Sequence, residues 1–270
     1  MRYHSYQFAF LGMLALLASP AHADSSLNYR LNSEGTVQPV LVREGKVLIQ
    51  SVDNGNRKDL LFDRSRGEAI LIDHTKQTFI TVNDHSIERL SRQSEPLQPL
   101  LAGLGAQLSK LTTEQRAKWQ QMLGGVDLQK IADAAKSVSP THLTKNESAR
   151  KVGSFSCEPV TIIRGKKKVA EVCLSPASTV GLPSDDYATL RSLLDFAQHV
   201  ASKTQGFSSL LGISIPVIAV QDMPGIPVEI RDLSGKLPGT LSLAGIDLAG
   251  LGAVPMDVPP SYQNEELKLW

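Results

Sequence analysis

The chain has only two cysteines, Cys157 and Cys173, in 270 residues. That excludes a cysteine-dense scaffold held by many disulfides and a site built on four thiolates. Aromatic residues make up 5% of the chain, so platforms for stacking bases or sugars are scarce. Neither sign of charge dominates. The net charge is +1, which gives no global field to draw the chain onto nucleic acid or an anionic membrane, and no nucleic-acid partner is expected. After the first residues no apolar run approaches the roughly 20 needed to cross a bilayer. Histidines are few beyond that point as well: His74, His85, His142 and His199 lie far apart.

What is present begins with a leader. "MRYH" carries one arginine, "FAFLGMLALLA" is apolar, and "SPAHA" offers small residues at Ala21 and Ala23. This is the pattern of a secretory signal peptide over residues 1–23, with cleavage expected after Ala23. The expected location is the periplasm, with no transmembrane segment left after cleavage. No cysteine near the cleavage site could carry a lipid. The remainder, 24–270, has the length for one domain. A hydrophobic content of 41% supports a packed core.

The N-terminal part reads as strands. "VQPVLVREGKVLIQS" holds two apolar runs around Glu44-Gly45, a hairpin signal. "DLLFD", "AILID" and "TFITV" follow, separated by "RSRGE" and "HTKQ", which predicts an antiparallel meander. "SIERLSRQ" predicts one or two helical turns. Helix formers then dominate a stretch that reads as a helical insertion at about 97–138. Within it Thr112 and Gln115 have capping-box spacing, and Gly124-Gly125 ends a helix. Strands return around the cysteines. "LPSDDYATLRSLLDFAQHVASKTQ" is the strongest helix, with Ser184 as its expected N-cap. Its apolar face is Leu190, Leu193, Leu194, Ala197, Val200 and Ala201. Three strand-like runs from "PVIAVQDM" to "LSLAGIDL" and a proline-rich tail close the chain. The order predicts an α+β fold: a curved antiparallel sheet, an incomplete barrel, with helices on its concave face.

The cysteines sit sixteen positions apart in "GSFSCEPVTIIRGKKKVAEVCLSP". Two thiols without a nearby histidine do not make a metal site, and C-x-x-C is absent. An exported chain permits a disulfide, and a Cys157–Cys173 staple is the expected reading. If the two strands form a hairpin centred on Gly165, facing residues sum to 330 and Cys157 lies opposite Cys173. A two-residue turn at Gly165-Lys166 would put the thiols on opposite faces and forbid the bond. In the permitted register Val160, Ile162, Ala170, Val172 and Leu174 share one apolar face. The cysteine face, with Phe155, Thr161 and Glu171, is mixed.

The succession "GSFSCE", "GKK" and "EVC", preceded by "ILIDHTKQTFITV", resembles the LolA-like periplasmic proteins, and most closely an uncharacterised branch of that superfamily. "LTTEQRAKWQQML" is similar to that branch's helical insert, and "IPVEI" and "VPPSYQNEEL" to its closing segments. The resemblance spans most of residues 28–268. It implies an open half-barrel able to hold a lipid or a lipoprotein acyl chain between sheet and helices. LolA uses an arginine on an early strand to hold its lid. Arg43 lies in that part of this chain, but the role is not carried over.

No catalytic residue, metal ligand or cofactor is expected. Asp73-His74 reads as a turn, because no nucleophile accompanies the pair. His199 reads as a solvated helix residue. The glycine-rich stretches lack the phosphate-cradling pattern. "RGKKK" reads as a solvated hairpin tip, with contact to acidic lipid or glycan as the sharper alternative. Two functions stay open. One is a non-catalytic exported protein binding a hydrophobic ligand; the other is an envelope interaction or stress-sensing module with a protein partner. Both leave peripheral membrane contact open.

Overall fold

The computed structural model describes residues 24–32, 35–53, 55–94, 112–115, 118, 141–146, 148–210, 224–235 and 239–267. The leader, most of the helical insertion and the "PVIAVQDM" run lie outside the described residues. Thr112 and Gln115 lie within them and form the expected capping box. The Gln115 side-chain oxygen accepts from the Thr112 amide at 2.9 Å, and the Thr112 hydroxyl accepts from the Gln115 amide at 3.3 Å.

A single sheet of thirteen strands dominates the described residues. The meander is β1 (Ser25–Leu31), β2 (Val37–Arg43), β3 (Lys46–Asp53), β4 (Asn56–Asp63), β5 (Glu68–Asp73) and β6 (Thr78–Val82). After α1 (Asp84–Ser94) come β7 (Thr141–Lys145), β8 (Arg150–Val152), β9 (Phe155–Arg164) and β10 (Lys167–Ser175). Then follow α2 (Ala177–Val180), α3 (Ser184–Leu210), β11 (Ile226–Asp232), β12 (Thr240–Asp247) and β13 (Gln263–Glu265). The strand order is β13-β6-β5-β4-β3-β2-β1-β12-β11-β10-β9-β7, with β8 also on β9. Among the described strands the two ends of this order, β13 and β7, do not pair, so the sheet is unclosed. Bulges at Asn28/Tyr29, Lys168/Ala170 and Cys173/Leu174 bend it. All ladders are antiparallel except the last, where β13 joins β6 in parallel.

Local chemistry sets the turns. Glu44 and Gly45 both have positive φ, 49° and 75°, the type I′ turn that suits twisted strands. Asp63 and Asp73 each end a strand and accept two amides of the following turn. α1 is three turns long rather than one or two. Asn83 accepts the Ser86 amide at 3.0 Å, and the Ser86 hydroxyl accepts the Asn83 amide at 2.9 Å. This reciprocal cap supports a longer helix than the apolar pattern alone announces.

α3 packs on one face of the sheet. Leu190, Leu193 and Phe196 meet Leu27, Val42, Val47, Phe62 and Ala69. The Phe62 and Phe196 rings are 5.6 Å apart. Ser184 is the first helical residue rather than the cap, and Ala197 is exposed. Asp186 and Thr189 are buried with partners: the Ser25 hydroxyl donates to the Asp186 carboxylate, and the Thr189 hydroxyl donates to the Asp185 carbonyl at 2.9 Å. The opposite face of β2–β6 carries Leu41, Leu48, Leu61, Ile70 and Ile72. The C-terminal tail crosses it as a strap, burying Met256 and packing Val254, Val258 and Tyr262 against these residues.

The β9–β10 hairpin corrects the expected register. Its turn is Gly165-Lys166, with Arg164 opposite Lys167, and not a turn centred on Gly165. The extra residue Val169 then bulges, so that Ala170 faces Ile162 and Cys173 faces Pro159. One bulged residue restores the parity that the two-residue turn had shifted. The apolar face is Val160, Ile162, Val172 and Leu174, as expected, with Ile230 of β11 beside them. The cysteine face is drier than its composition suggests: Cys157 and Cys173 belong to the main core with Val180, Leu182 and Val228.

Candidate functional site

Cys157 and Cys173 are joined as a disulfide with Cα atoms 5.4 Å apart. Both are buried in the main core, with Val180, Leu182 and Val228 among their apolar neighbours. The bond fastens β9 to β10 and presents no sulfur to solvent. The site of interest lies elsewhere, where α3 leaves a gap above the sheet.

A cleft of about 320 Å³ opens between α3 and the helix-bearing face of the central strands. The register explains its lining. Leu27 and Tyr29 of β1, Val40 of β2 and Ile49 of β3 alternate onto one face, and Ile230 and Leu241 extend it across β11 and β12. Tyr187, Leu190, Leu193 and Leu194 roof it from α3. The two tyrosines contribute rings and not free hydroxyls. The Tyr29 hydroxyl donates to the Pro227 carbonyl at 2.9 Å, and burial raises its pKa well above the ordinary phenol value. The Tyr187 hydroxyl accepts the Gly225 amide at 3.0 Å. Gln38 and Arg191 are the polar side chains at its margin. The cleft can therefore receive an apolar group without stranding a wall hydroxyl. Ile49 also lines a second cleft of about 440 Å³, which runs over Leu60, Leu71 and Ile80 towards Lys58 and Lys76.

The histidines are placed apart. His74 does not pair with Asp73. Its Nε2 lies 2.9 Å from Asp59 and its Nδ1 2.9 Å from the Tyr262 hydroxyl. Asp59 is buried and also held by Arg57 at 2.7 Å. The chain Arg57–Asp59–His74–Tyr262 thus fastens the strap to β4 and β5. His199 pairs with Asp84 at 3.1 Å, linking α3 to α1. Arg43 donates to the Gly252 and Val254 carbonyls and to Asp24, so it holds the strap rather than a helix. Among the described residues no group of three or more His, Cys, Asp or Glu is arranged to hold a metal.

Leu190, Leu193 and Leu194 of the sequence-derived helix face do line the cleft; Cys157 and Cys173 do not. Sequence reasoning missed Tyr29, Tyr187 and Ile230. Only the alternation of β1 and β11 could have pointed to the first and last. No protein-family model matches the chain, and no curated protein matches it.

Proposed function

We propose that the protein is a non-catalytic exported carrier that binds a hydrophobic ligand, a lipid or acyl chain, between α3 and the sheet. The observation that carries this reading is the 320 Å³ cleft with its nearly continuous apolar wall. The order of motifs that resembles the LolA-like proteins supports it, as does an unclosed curved sheet with a helix on one face. A periplasmic location is supported by the leader pattern and by the disulfide, which persists in an oxidising compartment. The second reading, an envelope interaction module, draws on β7. That strand pairs only with β9 among the described residues and leaves an edge to which another chain could add.

The test is a titration of purified protein with cis-parinaric acid, followed by fluorescence. Saturable one-site binding is expected. Leu193→Trp, which fills the cleft, should lower affinity at least tenfold while leaving the unfolding transition cooperative. Absence of saturable binding, together with only the unliganded mass in native mass spectrometry after incubation with phospholipid, removes the carrier reading in favour of the module.

A further inference from the structure

Both rims of the sheet carry ion pairs, Arg57 with Asp59 and Arg231 with Glu171 on the second, but the second also carries a lysine cluster outside them. On the rim holding the start of α3, basic side chains are paired: Arg43 with Asp24, Lys46 with Asp257, Arg64 with Asp185 and Arg66 with Glu68. The opposite rim is formed by the ends of β1, β3, β9 and β11 and the starts of β2, β4, β10 and β12. There the β9–β10 turn presents Lys166, Lys167 and Lys168, all exposed and none ion-paired among the described residues. Two carboxylates near this rim are already engaged: Asp232 accepts from Ser234, and Asp73 caps its own turn.

Lysines at a hairpin tip could simply be solvated. The apolar residues beside them argue otherwise. Six large apolar side chains are exposed among the described residues, and Leu31, Val37, Val52 and Leu233 all lie on this rim. Leu233 is held next to the lysines, its amide donating to the Val169 carbonyl at 3.0 Å. Val52 is 65% exposed. Unpaired cations flanked by projecting aliphatic side chains match an interface that is anionic at its surface and apolar just beneath. We propose that this rim docks on the surface of an anionic lipid bilayer, with Lys166, Lys167 and Lys168 at the headgroups and Leu233 entering the acyl boundary. The contact is peripheral and does not require the α3 cleft to be filled. Leu241 of the cleft wall pairs with Leu31 of the rim, so docking also brings the cleft wall close to the bilayer.

The experiment is co-sedimentation of the purified protein with phosphatidylglycerol/phosphatidylcholine vesicles and with phosphatidylcholine alone, every variant sharing one N-terminus verified by mass spectrometry. The wild type should prefer the anionic vesicles and release as salt rises. Each lysine removed should weaken partitioning about fivefold. K166Q/K167Q/K168Q should therefore lose about 100-fold, and Lys166→Gln alone about fivefold. Leu233→Ser should weaken binding while keeping the salt dependence, and Arg66→Gln on the other rim should change nothing. Equal partitioning to both vesicle types overturns the proposal. So does full binding by the lysine variants, loss with Arg66→Gln, or binding to polyglutamate beads but to neither vesicle. Failure to bind cis-parinaric acid, together with an unliganded native mass after phospholipid incubation, would remove the carrier reading and leave this result unaffected.

Discussion

At Gly225 the backbone has φ of 116°, and an added Cβ would stand 2.5 Å from the Ser175 carbonyl oxygen. Backbone, unlike a side-chain tip, cannot swing away. The same residue's amide holds Tyr187 over the cleft. Gly225→Ala is therefore expected to cost about 1–3 kcal/mol, seen as a lower urea midpoint at unchanged slope. Asp186 is a different case. Burial raises its carboxyl pKa, with the neighbouring Asp185 and Asp24 charges adding to the effect and the Ser25 hydrogen bond opposing it. A raised folded value means the folded state holds the proton more tightly than the unfolded one. Its contribution is fully present below the unfolded value, near 3.9, and is lost as pH rises through the folded value. Asp186→Asn does not titrate and can still accept from Ser25. Its stability relative to wild type should rise between about pH 3.5 and pH 7 in paired denaturant melts, and a flat difference would contradict the buried carboxylate account.

Among elements, the disulfide is the simplest to test. Removing it frees a loop of sixteen residues' separation, so Cys157→Ala with Cys173→Ala should lose about 3 kcal/mol in the entropic account. Denaturant titration of the double variant measures this. The β2–β6 strands were readable because alternation and turn chemistry are both local: Glu44-Gly45, Asp63 and Asp73 act on residues within a few positions. The α3 stripe was readable for the same reason, apart from Ala197. The Val169 bulge was not, because nothing in "GKKKVAE" distinguishes a regular hairpin from one with an extra residue. The partner of His74 was also hidden. Asp59 is the neighbour of choice only once β4 and β5 are in register, and Tyr262 only once the strap has crossed the sheet. The cleft required the same long-range knowledge. Its wall comes from both ends of the sequence, so no single stretch announces it.

On the scale of the whole molecule, β1 lies between β2, its neighbour in sequence, and β12, with Leu27 opposite Ile246. The two halves of the sheet are joined along this seam. Such non-local pairing slows folding, and refolding from urea is expected on the millisecond-to-second scale. A chain ending at Gly235 lacks β12 and the strap together. It should show no cooperative unfolding transition by circular dichroism, and a sharp one would mean that the first six strands stand alone.

The seam also decides how the molecule fails. Among the described strands, β12 follows β11 late in the chain yet is a partner of β1, the first. A stalled or clipped chain keeps β1 as a raw edge and leaves Leu41, Leu48 and Leu61 without the strap that covers them. Loss of β12 is thus displayed at β1. A protease that recognises unpaired edge and bare apolar surface can sort finished copies from unfinished ones without reading either end.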